Sequence, residues 1–349
     1  VFNMDWRIAD NLRLTGLVGH EGTDFIDNKS KVYMAATGDM TLDFTHGFMG
    51  RNTYGFDTTN PALYKYTDLD IWQPEIQNDF DTAKLDLAYS FKSGSKLTGG
   101  VSAKKYVNQY GVATANYASR LNDGTYSRTI NVARTYVNTS HDVSRWLSTD
   151  VEGVYSDLGI TRYLPHVANK DEVTEETRAG YVQFELAPVD LPIGTLRGDG
   201  GLRYYDTRIT SKGMAGGTRV SIERQYSDTL PTLNLAWDVT DKLVVRASAS
   251  KNVTRVGLGS LGVSGTVQND PAKGDLSISA GNPDLKPMDS VNTEVSAEYY
   301  FQKGGYLSVS LFHKDVSNIV GSSVVNVRYG DTGYPLSFLG AVDANGKPQ

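Results

Sequence analysis

The feature that most constrains this chain is a set of two-faced segments, apolar at every second residue, that come in pairs around short turns. Phe2, Met4, Trp6 and Ile8 alternate with Asn3, Asp5 and Arg7; the turn ADN follows, and Leu12, Leu14 and Val18 continue on the way back. Leu85, Leu87, Tyr89 and Phe91 lead into KSGSK, and Leu97, Gly99 and Val101 return. Val182, Phe184 and Leu186 precede PVDLPIGT, with Leu202 and Tyr204 beyond it. Leu233, Leu235 and Trp237 precede DVTDK, followed by Leu243, Val245, Ala247 and Ala249. Tyr299 and Phe301 precede QKGG, followed by Leu307, Val309 and Leu311. A period of two is the signature of a strand with one apolar and one polar face. Five such hairpins predict ten antiparallel strands.

The connections from one hairpin to the next are long: roughly residues 20–79, 108–173, 209–220 and 256–289, with a further stretch over 318–349. Long structureless loops are unusual inside a compact soluble domain. A transmembrane β-barrel has this asymmetry as a rule, with short turns on one side and long loops on the other. The large aromatics also fall at one level, just before the short turns: Trp6, Phe91, Trp237, Tyr299 and Phe301. That is where an interfacial girdle belongs, although strand-end aromatics would equally cap a soluble sandwich. The opposite faces, such as Asn292, Glu294, Ser296 and Glu298, suit a hydrated lumen or the outside of a sandwich; the loops favour the barrel. The fold class expected is therefore all-β: an antiparallel transmembrane β-barrel segment with short periplasmic turns and long extracellular loops.

Composition agrees and excludes other classes. Among 349 residues there is no cysteine, so neither a disulfide framework nor a thiolate metal site exists. The net charge of −6 argues against a nucleic-acid partner. No apolar run is long enough for a transmembrane helix, and a low mean hydropathy is compatible with a barrel because alternate residues are polar. The chain opens inside a strand, which reads as a piece of something longer.

One stretch has a different character. GNPDLKPMDSVNTEVSAEYYF, Gly281 to Phe301, begins with seven residues that cannot be regular structure: Gly281 and Asn282 favour turns, Pro283 and Pro287 remove backbone donors, and Leu285 lies between them. It then becomes a two-faced strand from Val291. This stretch is similar to the signature of TonB-dependent outer-membrane receptors, in which a GNP-x-L-x-P-E run precedes a late barrel strand; Met288 stands where the family usually has glutamate. Tyr226 to Val256, with its LP, its D-x-T-D turn and its R-A-S-x-S-K-x-x-T-R ending, resembles the preceding hairpin, with Val256 in place of the usual proline. Leu196 to Gly213 and Leu311 to Val320 resemble its neighbours, so the likeness is strongest over 174–320.

The resemblance implies a portion, middle to late, of a 22-stranded barrel with a plugged lumen. No part of the sequence resembles the plug or the TonB-contacting segment, and the closing strands are expected beyond Gln349. The family plan implies location in the outer membrane of a Gram-negative bacterium. Its partners would be outer-membrane lipid and lipopolysaccharide, the TonB-ExbB-ExbD complex acting through the plug, a small-molecule ligand, and a surface lipoprotein or other chains. It implies active uptake of a scarce nutrient, here a carbohydrate or oligosaccharide, with siderophore complexes and cobalamin as rivals. A passive porin or adhesin barrel is the alternative from another class. In this reading the proline run is the rigid descent from a loop into the barrel wall.

No catalytic constellation is expected. The five histidines (His20, His46, His141, His166 and His313) form no HExxH or H-x-x-x-H pair, and no G-x-S-x-G elbow exists. No cofactor is implied; Asp68 and Asp70 in YTDLDIW read as solvated loop acids rather than cation ligands. Ligand chemistry is instead expected in the loops. Tyr54, Tyr64, Tyr66 and Trp72 lie among amides and acids over 50–77, and Trp146 and Tyr163 lie in 142–163, where DVSRWLSTDVEGVYSDL predicts a short helix. Exposed rings beside polar groups suit sugar faces and hydroxyls; packing of the same rings into small loop cores is the competing expectation.

Overall fold

In a computed structural model, residues 1–45, 51–139, 145–215, 218–270 and 275–332 are described. Ten long strands form one antiparallel sheet in chain order: β1 (Phe2–Ala9), β2 (Leu12–Ile26), β3 (Tyr64–Ser90), β4 (Lys96–Asn116), β5 (Asp171–Asp190), β6 (Thr195–Ala215), β7 (Thr218–Thr240), β8 (Leu243–Thr254), β9 (Met288–Gln302) and β10 (Gly305–Ser317). These are the ten strands that the period-two pattern predicts. An eleventh strand, Lys29–Ala36, pairs with β3 off this path. Among the described residues β1 and β10 end the path and the sheet is open between them.

Registers carry the two faces across strands. Leu186, Gly198, Leu235, Ala247, Val295 and Leu311 form one cross-strand row. The next row, one residue over, is Glu185, Asp199, Asn234, Ser248, Glu294 and Phe312, on the other face. A slip of one residue at any strand would exchange the faces. Among the described residues nothing covers the apolar face: Val182, Leu202, Leu233, Val295 and Leu311 are all exposed. An apolar surface of this extent marks contact with lipid or protein. The short turns hold their shape through glycine where needed, as at Gly94 (φ +88°) in KSGSK and Gly304 (φ +80°) in QKGG, a backbone region that L side chains rarely adopt.

The chain divides into two compact units. One comprises Val1–Asp24, Gln77–Tyr110 and Asn169–Gln349; the other comprises Phe25–Ile76 and Gly111–Ala168. The second draws on two of the connections expected to be loops, and it is a folded body. The pairing of Lys29–Ala36 with β3 joins the 3-10 turn Pro61–Leu63, the helices α1 (Ala118–Asn122) and α2 (Val151–Asp157), and the hairpins Met40–Asp43/Arg51–Tyr54 and Thr135–Asn138/Trp146–Thr149. Its core is Tyr66, Leu69, Ile71, Leu121, Ile130, Val154, Tyr155 and Ile160.

The expected loop boundaries change accordingly. Within 209–220, residues 209–215 and 218–220 are paired strand, and the ladder runs to Ala215 and Thr218. The connection over 256–289 contains the hairpin Gly265–Asp270/Asp275–Ala280. The ladders continue past the apolar band because strand pairing needs only backbone donors and acceptors. Where both faces are wet, side chains show no period, and the pattern falls silent. The helix expected within DVSRWLSTDVEGVYSDL is shorter than that stretch: Trp146–Thr149 is strand, helix α2 begins after Asp150, and Asp150 makes no side-chain cap bond. Residues 46–50, 140–144, 216–217, 271–274 and 333–349 of the expected loops, with His46 and His141, lie outside the described residues.

Candidate functional site

The loop body is built on β3. From Leu69 to Glu75 every second residue of this strand points the same way: Leu69 and Ile71 enter the apolar core, then Gln73 and Glu75 are buried in turn. Burial of such polar groups requires hydrogen bonds, and they find them on one strap of chain. Gln73 donates through Nε2 to the Leu164 carbonyl (3.0 Å) and accepts from the Leu164 amide (3.1 Å) and from Asn28 Nδ2 (3.2 Å). Glu75 Oε1 accepts from the Val167 amide (3.2 Å) and lies 3.1 Å from His166 Nδ1. The strap is therefore fixed at Leu164 and Val167, and Tyr163 beside the first tie is 70% exposed. A ring held out on a fixed backbone loses little freedom on meeting a ligand.

Tyr155 fixes the opposite side. It is fully buried, and its hydroxyl donates to the carbonyls of Asp70 (2.9 Å) and Lys31 (3.2 Å). Burial pushes this phenol above its ordinary pKa, which favours the protonated, donating form. Arg134 grips Asp157 at the end of α2 through Nε (3.0 Å) and Nη2 (2.7 Å), and holds that carboxyl below the usual carboxylate range.

The six ring residues expected to meet ligand are not equivalent. Tyr66 is 3% exposed and belongs to the core, so it offers no ring face. Tyr64 packs against that core and donates its hydroxyl to the Thr58 carbonyl at 2.9 Å. Tyr54 packs edge-on against Phe56, with centroids 5.7 Å apart. Trp146 is half-buried in its hairpin opposite Asn138. Trp72 is 36% exposed, with Lys29 Nζ 4.6 Å from the ring centroid, so one face is already covered by a cation. Tyr163 and Trp72 thus keep surface free for a ligand. Asp68 and Asp70 share Asn116 Nδ2 (2.9, 2.8 and 2.6 Å), and among the described residues no group of three metal-ligating side chains forms.

The polar face of the sheet is a second site that residue spacing did not single out. Arg246 is paired with Glu298 (2.9 Å), Arg197 with Asp238 (3.0 Å) and Lys96 with Glu185 (3.1 Å). Between these pairs lies a depression of about 600 Å³ lined by Gln183, Asp199, Asn234, Ser248 and Glu294. Nearer the other strand ends, Tyr106 and Asn108 both donate to Asn78 Oδ1 (2.9 and 2.8 Å), and Arg255 pairs with Glu175. The period-two alternation already places these residues on one face. Which pairs close depends on the registers, which the alternation alone leaves open.

The proline run is held by backbone. The Asn282 amide donates to the Ser260 carbonyl at 2.8 Å, Asn282 Oδ1 accepts from the Asp284 amide at 2.9 Å, and Asp284 pairs with Arg224. A Cβ on Gly281 would stand 2.7 Å from the carbonyls of Ser260 and Gly262, so the close approach requires glycine. Leu285 packs with Val173, Ile209 and Leu261, Pro287 is buried, Pro283 half-buried, and β9 begins at Met288. At the short-turn ends, Phe91 packs edge-on with Tyr89 (4.9 Å) and Phe184 (6.2 Å). Trp237 Nε1 donates to the Ile193 carbonyl at 2.8 Å, and Trp6, Tyr299 and Phe301 are exposed.

The model of the β-barrel of TonB-dependent receptor-like proteins matches residues 8–346. The chain belongs to the TonB-dependent receptor family. Members of this family are outer-membrane transport proteins of Gram-negative bacteria. No curated protein matches the chain. Among solved structures it is similar to the ferric-catecholate import receptor Fiu of E. coli K12, at 13% identity and a TM-score of 0.43 over 90% of this chain and 40% of that one. It is also similar to the siderophore receptor PiuA of Acinetobacter baumannii, at 12% identity and a TM-score of 0.42 over 89% and 38%. A third is the Serratia marcescens hemophore receptor HasR, solved with its hemophore HasA and heme, at 13% identity and a TM-score of 0.39 over 91% and 45%. The chain thus spans less than half the length of each of these receptors.

Proposed function

We propose that this chain is the middle-to-late barrel wall of an outer-membrane receptor that takes up a scarce nutrient by TonB-dependent active transport. The observation that carries the reading is the ten-strand meander with an uncovered apolar face and a polar opposite face, over a chain matched by the family from residue 8 to 346. The apolar face meets lipid. The polar face lines the lumen, and the plug and the TonB-ExbB-ExbD complex act from elsewhere in the complete receptor.

For the ligand, the reading is a carbohydrate or oligosaccharide. Its support is the exposed ring of Tyr163 on its fixed strap and the partly exposed Trp72, beside Arg162 and other polar groups of the loop body. Rings of this kind stack on apolar sugar faces. A ferric siderophore complex or cobalamin is the rival ligand. The test is direct binding by the complete receptor in detergent, titrated in turn with an oligosaccharide panel, ferric siderophores and cobalamin. The expected result is saturable oligosaccharide binding, weakened by about 1–3 kcal/mol in Tyr163→Ala and Trp72→Ala, in the range of one lost stacking contact. Saturable binding of a siderophore complex or cobalamin alone would replace the carbohydrate. Uptake that persists in cells treated with a protonophore would point instead to a passive porin.

A further inference from the structure

Toward the long-loop end, the polar face of β5 and β6 changes character. Val173 on β5 and Ile209 on β6 are apolar and buried there, and Thr177, Thr207 and Ser211 are buried with them. The registers place all five on the face of Glu185 and Asp199: Thr177 lies opposite Thr207, Glu175 opposite Ile209 and Val173 opposite Ser211. The two threonine hydroxyls bond each other at 2.9 Å, and Ser211 Oγ has no partner among the described residues. Water does not reach these groups, so another part of the chain covers them.

The cover is the segment that follows β8. Arg255 pairs with Glu175, donates through Nη2 to Thr207 Oγ1 (3.3 Å) and stands 5.7 Å from the centre of the Tyr205 ring. Leu261, 1% exposed, packs on Val173 and Ile209, with Val256 and Leu258 beside it. Ser264 Oγ accepts from the Met214 amide (2.8 Å) and donates to Asp171. The proline run holds the middle from the other side, through the bond from the Asn282 amide to the Ser260 carbonyl and through Leu285 in the same cluster. Residues 255–264 are thus tied at the start, middle and end to one face of the wall. A segment tied in this way opens only when several contacts are lost together.

Its free edge is different. Gly257, Gly259 and Ser260 are exposed, and the edge borders a depression of about 490 Å³ completed by Phe80, Lys104, Tyr106 and Asn108. Neither glycine has a left-handed φ, and a Cβ on either would meet nothing within 4 Å. Neither backbone conformation nor packing therefore requires glycine at these positions; a side chain there would take up open space. Glu175 stands 15 residues from Asp190, the end of β5 (190 minus 175). At about 3.3 Å per residue and a tilt near 45°, that is roughly 35 Å, beyond the roughly 25 Å apolar band of such barrels. The segment crosses the polar face at the mouth, on the long-loop side.

We propose that residues 255–264 form a fixed shelf across this mouth that limits the bulk of what passes, with the glycine edge setting the clearance. Arg255 and Leu261 are its positioning residues. The shelf rests on the reading of the polar face as the lumen. The test uses the complete receptor in intact cells, with any other cysteine replaced and Lys104→Cys placed in the depression. Two membrane-impermeant maleimides serve as size probes, one small and one carrying a polymer too bulky for 490 Å³. The wild-type shelf should admit the small reagent and exclude the bulky one. Leu261→Ala, and separately Arg255→Ala, should raise the rate of the bulky reagent at least about tenfold, because labelling then follows the population of the opened segment. Gly259→Trp should slow the small reagent several-fold. Tyr163→Cys, on the loop body, should react with each reagent at one rate in every background, and a heat-modifiable band on gels confirms assembly. Unchanged bulky-reagent rates in both release variants would overturn the shelf and leave the uptake reading standing. So would equal labelling of the wild type by both reagents, or a Gly259→Trp receptor labelled as fast as the wild type. If Lys104→Cys reacts with neither reagent in any background while Tyr163→Cys reacts, the polar face is not an accessible lumen, and both readings fall.

Discussion

At the residue scale, a few buried groups decide which rings are available. Tyr66 and Trp72 lie six residues apart on the same strand. One is consumed by the core and the other is only partly covered: Trp72 lies on the face opposite Leu69, Ile71, Gln73 and Glu75, while an irregularity in the ladder between Tyr66 and Asp68 brings Tyr66 to the core side. Nothing in aromatic content distinguishes them beforehand; burial is set by what packs from α2 and from the strap, both distant in sequence. Tyr155→Phe removes two hydrogen bonds while keeping the ring, and should lower the stability of the loop body by about 1 kcal/mol, read as faster amide exchange in residues 25–76 and 111–168. Leu69→Ala should cost about 2–5 kcal/mol and expose the same amides far more. The Asp157–Arg134 pair adds a pH dependence. Its carboxyl titrates below its unfolded value, so its contribution is present above the ordinary carboxylate range and is lost as pH falls through the lowered value. Protection of α2, corrected for intrinsic exchange, should decline with acid in the wild type and show a weaker decline in Asp157→Asn. Identical profiles would mean that the pair contributes nothing to this dependence.

At the element scale, strands are legible in the sequence and their ends are not. In the proposed reading the alternation that predicts ten strands comes from lipid on one face and water on the other, so it reports only the part of each strand in that asymmetric environment. β3 runs from Tyr64 to Ser90, yet only its last third shows the pattern. The rest reads as loop because both of its faces are polar or because its partners are distant. The proline run is legible for a different reason: Pro283 and Pro287 restrict the backbone whatever the environment. Its neighbour Gly281 depends on tertiary context, and Gly281→Ala should cost about 1–3 kcal/mol through the close carbonyls of Ser260 and Gly262, measured as a lowered urea midpoint for the assembled receptor. The two faces of β9 offer a paired comparison. Val295→Arg on the apolar face should destabilise by about 2–4 kcal/mol near the bilayer midplane, whereas Ser296→Arg on the polar face should do little. Urea titrations of receptor refolded into vesicles report both.

At the scale of the whole molecule, the barrel-wall reading puts lipid against one face of this sheet and water against the other, as the wall of a TonB-dependent receptor requires. The family assignment and the strand order support it, and the ligand is a separate matter carried by the loop body. The chain itself has no cysteine, which permits a direct test in the complete receptor with any other cysteine replaced. Single cysteines are placed in turn at the eight positions from Val291 to Glu298, labelled with an environment-sensitive fluorophore, and exposed to spin-labelled lipid. Quenching should follow a period of two: strong at Val291, Thr293, Val295 and Ala297, and weak at Asn292, Glu294, Ser296 and Glu298. Equal and weak quenching at all eight would mean that this face never meets lipid, and the barrel-wall reading would fall.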